Sequence, residues 1–378
     1  MHGGTELTGS VVALLAGLSA VSILSTNIIL PAFPEIGQEL GVSSRELGLT
    51  LSSFFITFAL AQLVVGPLAD RFGCKRLVLG GLTLFVVGTL VAGLANSLDM
   101  LIAGRVIQAL GVCAAAVLAR TIARDLFEGE TLARALSLTM IATATAPGFS
   151  PLLGSLLTTA MGWRAIFVMA GIAAVVIAFF YARGLGETLP PERRVTQSVQ
   201  QVMGAYARLL GDGRFILPAG AVSLLMSGLF ASFGAAPAIL MSGMGLSSQL
   251  AGLYFAATVC VVFAAGMASP WRRWLADCCW SARATPVWSG TRCRWSRFSG
   301  ANPLGTAITM GPFGKEAGLA SALLGFLTMG AAAITTWPVS VLNFAPVTTL
   351  GATQVVVCLI GLGLFWAGNQ IEKRMLGL

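Results

Sequence analysis

Residues 62–76 read Gln-Leu-Val-Val-Gly-Pro-Leu-Ala-Asp-Arg-Phe-Gly-Cys-Lys-Arg, and the fold turns on how they are read. An apolar run of membrane length ends at Leu68 and another begins at Leu77. Between them stand Asp70, Arg71, Lys75 and Arg76, one acid against three bases. Charge within hydrocarbon is costly, so a turn this charged between two apolar helices lies at a membrane surface. Its positive balance points to the cytoplasmic side. Gly66 and Gly73 lack a Cβ; the first is expected to admit close backbone approach, the second a tight reversal.

Composition extends this reading to the whole chain. Of 378 residues 56% are hydrophobic and 10% charged, with a mean hydropathy of +0.85; soluble chains carry about 25% charged residues. A spanning helix needs about 20 apolar residues, and the sequence supplies ten such runs, near 11–30, 47–68, 77–96, 101–122, 133–161, 165–182, 215–241, 250–269, 319–338 and 347–367. The chain is therefore expected to be an all-α polytopic membrane protein with both termini cytoplasmic. Its net charge of +8 lies mostly in short loops, as the positive-inside rule requires, and does not signal nucleic-acid binding. Neither a metal nor a cofactor is implied: the seven cysteines show no metal spacing and no disulfide framework. The sole histidine is His2 and no nucleophile–base pair appears, so an enzyme is not expected. Met1 to Ser10 lacks the basic region of a cleaved signal peptide.

Polar and helix-breaking residues inside the spans mark the candidate pathway. Arg105 and Gln108 are three apart and share a helix face. An intramembrane arginine either faces a bundle interior or cavity or snorkels to the surface; both remain open for Arg105. Asn27 closes the first span before Pro31 and Pro34, which end or bend a helix; residues 31–46, net negative, read as an external loop. Pro147, Gly148, Pro151 and Gly154 fall within eight residues of the fifth span, as a kink and close-packing seam would or as a bend for packing alone. Trp163 is placed as an interfacial anchor. Phe230 and Phe233, one turn apart, fit either a cavity lining or ordinary core, and Tyr254 in the eighth span joins the pathway candidates.

Residues 183–214 carry Pro190-Pro191 and five arginines and read as a cytoplasmic linker. It divides an amino-terminal six-helix bundle, 1–182, from a carboxy-terminal bundle, 215–378. Tyr206 to Leu210 is a candidate surface helix. Within the second bundle residues 270–299 break the pattern: five of eight tryptophans and six arginines crowd a stretch with no spanning run. It is either a basic surface loop or coding sequence translated out of frame, the second being preferred. That leaves the second bundle incomplete, short of one helix pair.

The spacing Gly66-x-x-x-Asp70-Arg71-x-Gly73-x-Lys75-Arg76 resembles the loop between helices two and three of the major facilitator superfamily, with Cys74 where a base is usual. Leu30-Pro-Ala-Phe-Pro-Glu-Ile, Arg105–Gln108–Gly111, Pro147–Gly154 and Gly162-Trp-Arg-Ala-Ile-Phe follow in the order found in its Bcr/CflA-type drug:proton antiporters. The resemblance implies a fold of two six-helix bundles and proton-coupled export of small apolar drugs across a bacterial cytoplasmic membrane by a monomer. Its partners would be a small-molecule substrate, protons and the lipid bilayer. It also implies a cytoplasmic gate at Gly66, Asp70, Arg71, Gly73, Lys75 and Arg76, proton handling at Arg105 and Gln108, and a bundle seam at Pro147 to Gly154. Asn27 stands where the family often has an acid, which leaves the proton to Asp70, Asp99 or another scheme. An importer or exchanger of the same fold, or a product of a frameshifted gene, are the alternatives.

Overall fold

The first helix of the computed structural model, α1 (Gly9–Asn27), stops four residues before Pro31. That proline has no N–H to offer the Asn27 carbonyl. The backbone tightens into one 3-10 turn, Leu30–Ala32, and resumes as α2 (Phe33–Leu40). The structure describes residues 9–189, 199–257, 309, 313, 317–341 and 346–375. The odd segment 270–299, the missing helix pair and most of the eighth expected span lie outside the described residues.

The segment expected as an external loop is largely helical, because Phe33 and Ile36 are fully buried and hold α2 against its neighbours. Gly41, at φ 68°, ends it. Ser43 then starts α3 (Ser44–Phe72) with a reciprocal cap: its hydroxyl accepts from Glu46 N at 3.2 Å while Glu46 Oε2 accepts from Ser43 N at 2.8 Å. After α3 come α4 (Cys74–Gly93), α5 (Leu98–Leu126), α6 (Gly129–Met161) and α7 (Arg164–Gly184). α8 (Val199–Gly211) precedes α9 (Gly213–Ala236), which runs on through a π turn to Gly243. A helix over 248–257, α10, is followed by α11 (Ala317–Val341) and α12 (Pro346–Met375).

Eight helical segments among the described residues are long and apolar enough to cross a membrane. The fifth expected span is α6, 33 residues of helix running unbroken through Pro147 and Pro151. α4 packs along α5 and α7, and α1 along α5 and α6; after the linker, α9 packs on α11 and α12, while α11 lies along α3. α12 leaves Leu359, Leu362 and Trp366 about two-thirds exposed. An apolar surface like this, left open among the described residues, suits lipid contact.

The charged stretch is more compact than a loop. Asp70 and Arg71 belong to the last turn of α3, and Lys75 and Arg76 to the first turn of α4. Gly73 alone makes the reversal, at φ 89°. It also takes the close approach, since a Cβ there would meet the Glu187 carboxylate. Gly66, expected to do so, has nothing within 4 Å of where its Cβ would be. Trp163 departs from expectation as well. It is 1% exposed, because its indole N–H donates to Glu39 Oε2 at 2.7 Å. Arg164, paired with Glu39 Oε1 at 2.6 Å, covers its ring.

Candidate functional site

The end of α1 leaves backbone carbonyls open, as every helix terminus does. Arg105, from the second turn of α5, meets them: Nη1 donates to Ser25 O at 2.7 Å and Nη2 to Thr26 O at 3.4 Å. A cation belongs there, because the carboxyl end of a helix carries partial negative charge. Nη1 also donates to Gln108 Oε1 at 3.0 Å. Gln108 in turn donates from Nε2 to the Thr89 hydroxyl at 2.8 Å, and Thr89 donates to Phe85 O at 2.7 Å. α4 comes this close only because Gly88 has no side chain; a Cβ there would lie 2.5 Å from Gln108 N. One hydrogen-bonded chain thus ties α1, α5 and α4.

The guanidinium does not reach back to the surface. Arg105 is 1% exposed and its Cζ sits 4.3 Å from the centre of the Phe54 ring. Such a contact stabilises a desolvated cation. Among the described residues no carboxylate pairs with it, and the ion pair between Glu39 and Arg164 lies elsewhere. Among the described residues, Arg105 Nε, Asn27 Nδ2 and Ser150 Oγ are buried polar atoms without a partner. Asn27 itself is 2% exposed and follows Thr26 directly.

Aromatic side chains continue the site. Phe54 stacks on Phe58 with ring centres 6.0 Å apart. Phe55 meets Phe230 edge-on at 5.1 Å, joining α3 to α9. Phe233 points elsewhere, to Phe255 of α10 at 5.5 Å. The ring that joins Phe233 is therefore Phe255, which the sequence reading passed over, and not Tyr254, half of whose surface is exposed. Helical phase is the only signal that separates these neighbours.

Helices before and after the linker touch closely at the end away from the charged turn. Ser44 and Ser242 hydroxyls are 3.1 Å apart, Ser52 and Thr336 likewise, and Ser248 donates to Pro31 O at 3.0 Å. The residues expected to form the seam lie near these contacts. A Cβ on Gly154 would run into the Ile28 carbonyl, and one on Gly252 of α10 would lie 3.3 Å from Pro151 O. Gly148 is buried in the same stretch of α6.

At the charged end a cavity of about 580 Å³ opens between α3, α5, α8 and α11. Gly66, Pro67 and Asp70 line it, with Arg120, Arg124, Tyr206 and Ser321; Arg105 does not. The residues expected to form the gate face different partners. Asp70 faces this cavity, Arg71 lies over the Phe72 ring, and Lys75 Nζ donates to Ala182 O and Leu185 O at 2.8 and 2.7 Å, closing the end of α7. The partner that the sequence reading missed is Glu187, whose Oε1 accepts from Cys74 N at 2.9 Å and so caps α4. The Cys74 thiol, standing in place of a base, lies 4.0 Å from Asp125 Oδ2.

A helical bundle that spans a membrane repeatedly, with a buried cation at a helix end and a cavity between its parts, is the build of a membrane transporter. The chain belongs to the Major Facilitator Superfamily, whose model matches residues 15–368; this is a family of transporters and not of enzymes. It is 30% identical to Multidrug resistance protein D of Escherichia coli, over 96% of this chain and 95% of that protein. It is also 30% identical to a chloramphenicol resistance protein of Pseudomonas aeruginosa, over 67% of this chain and 60% of that one. In fold it is similar to a peptide transporter, POT, solved with sulfate, at a TM-score of 0.65 and 13% identity, over 96% of this chain and 94% of that one. A bacterial homologue of the lysosomal transporter Spinster, at 18% identity, gives 0.59 over 99% and 85%.

Proposed function

We propose that this transporter exports small, largely apolar drugs across a bacterial cytoplasmic membrane, driven by proton entry. Two bundles, 1–182 and 215–378, joined by the cytoplasmic linker 183–214, would rock about a midplane site, the usual scheme for such folds. The termini and the charged turn are cytoplasmic in this reading, and the working unit is a monomer. The observation that carries it is Arg105, a buried cation with no acid beside it among the described residues, bonded to the open end of α1. A charge held there without a counter-charge is costly, and such charges in spans mark pathways. It would bias the aromatic region against a second cation, so that substrate and proton occupancy compete. The names of the relatives support the drug class.

The remaining assignments follow. Asn27, Gln108, Phe230, Phe233 and Tyr254 belong to the pathway; Gly66, Asp70, Arg71, Gly73, Lys75 and Arg76 to the cytoplasmic gate; Pro147, Gly148, Pro151 and Gly154 to the seam between bundles. Asp70, facing the cavity beside Arg120 and Arg124, is a carboxylate within reach of an entering proton. Drug accumulation in efflux-deficient cells expressing the chain, with and without a protonophore, tests the reading. Lower accumulation that the protonophore abolishes is expected. Unchanged accumulation at confirmed membrane expression would overturn it. That result would favour the second reading, a carrier inactivated by the composition of residues 270–299.

A further inference from the structure

α3 carries Pro67 in its interior. A proline there has no N–H for the carbonyl four residues back, which is that of Leu63. Carbonyls withdrawn from water seldom go unpartnered, and this half-buried one is met from 143 residues away: the Tyr206 hydroxyl donates to Leu63 O at 3.0 Å. Tyr206 belongs to the linker helix α8. The buried residues of that helix, Val202, Ala205, Tyr206 and Leu209, recur at helical spacing and form one apolar stripe. The stripe packs on Phe215 and Ala219 of α9 and on Ala320 and Leu323 of α11, with Leu63 of α3 only partly buried against the same cluster. By its packing α8 therefore travels with the helices that follow the linker, while its phenol is bonded to a helix that precedes it. Pro67 and Tyr206 both line the 580 Å³ cavity, with Ser321 of α11 on the same wall.

We propose that Tyr206 is a positioning residue for transport: its hydroxyl replaces the N–H that Pro67 lacks and holds α3 to the carboxy-terminal helices at the charged end until the two parts separate. Parting need strand nothing: Pro67 and Tyr206 line the cavity beside this bond, and water from it can replace the phenol on Leu63 O. Burial, with Asp70 nearby, pushes the Tyr206 phenol up to about 12, so it remains a donor across the working pH range. The proposal rests on the alternating-access reading above.

Two substitutions reach this bond from opposite sides. Tyr206→Phe keeps the ring in its packing and removes the hydroxyl. Pro67→Ala supplies an N–H to Leu63 O and makes the hydroxyl superfluous. The readout is the rate at which a water-soluble maleimide labels Ser321→Cys in membrane fragments open on both faces, above that of the chain without the added cysteine. Each substitution is expected to raise the rate about two- to tenfold, the range of one neutral hydrogen bond, and the pair together no further than either alone. Unchanged rates in the single variants, or independent increases that multiply in the pair, would overturn the proposal. Should Tyr206→Phe be lost from the membrane, Pro67→Ala decides by the same rise or its absence. Labelling needs no transported compound. A chain that moves no drug yet shows the coupled labelling defeats the export reading alone, and export with flat labelling defeats this inference alone.

Discussion

α1 ends ahead of Pro31 and α3 runs through Pro67, and at both places open carbonyls are met by a side chain from another helix, but by donors of different kind. At α1 the donor is a guanidinium, forked onto Ser25 O and Thr26 O, covered by Phe54 and braced by Gln108. At α3 it is one neutral phenol at the edge of a cavity. Bonds from a charged donor are roughly twice as strong as neutral ones, and a buried carbonyl stripped of its partner has no water to turn to. The first repair fixes α1 to α5 permanently. The second can be exchanged for water, as the proposed parting of the two bundles requires.

The largest effect is expected at the permanent repair. Arg105→Ala strands two carbonyls and Gln108 Oε1, at about 1–3 kcal/mol for each buried group left alone, and drug export in the accumulation assay should fall to background. Arg105→Lys keeps the charge but loses the planar fork, so roughly a tenfold loss of export is expected; full activity with lysine would erase the contrast with Tyr206. Next comes Gly154→Ala, whose methyl would press on the Ile28 carbonyl just beyond α1. Overpacking of this kind costs about 1–3 kcal/mol, read as a lower thermal midpoint of the purified protein. Thr89→Val removes the acceptor of Gln108 Nε2 and should cost about 1 kcal/mol, with weaker export, by leaving one buried donor unpaired. Glu187→Gln is the mildest: it weakens the cap on α4, with a loss under about 1 kcal/mol in the thermal midpoint and export nearly unchanged. A larger loss there than at Thr89 would mean that the charged end is no less fixed than the buried one.

The sequence makes the helices and the charge placement legible because both depend on local composition. The ten apolar runs needed only length, and Arg105 with Gln108 needed only the three-residue spacing. What Arg105 bonds to was not legible. Its acceptors are backbone carbonyls, and every residue has one, so no residue type announces them. The same holds for Tyr206 and Leu63, joined across 143 positions. Glu187 was hidden for another reason: it sits in the stretch read as a cytoplasmic linker, and its task becomes visible only once Gly73 brings the start of α4 beside it. Trp163 had the residue type of an interfacial anchor, but Glu39, from a segment taken as a loop, drew it inside.

The contacts that join the two parts of the chain away from the charged turn have a consequence for working conditions. Ser44 with Ser242, Ser52 with Thr336 and Ser248 with the Pro31 carbonyl carry no net charge. Dissolved salt screens ions, not neutral hydroxyls, and none of these groups titrates near neutrality. Their share of the closure is therefore indifferent to ionic strength and to acidity. In a carrier that releases its load on that side, this part of the release step would run alike in a dilute, a briny or an acid medium.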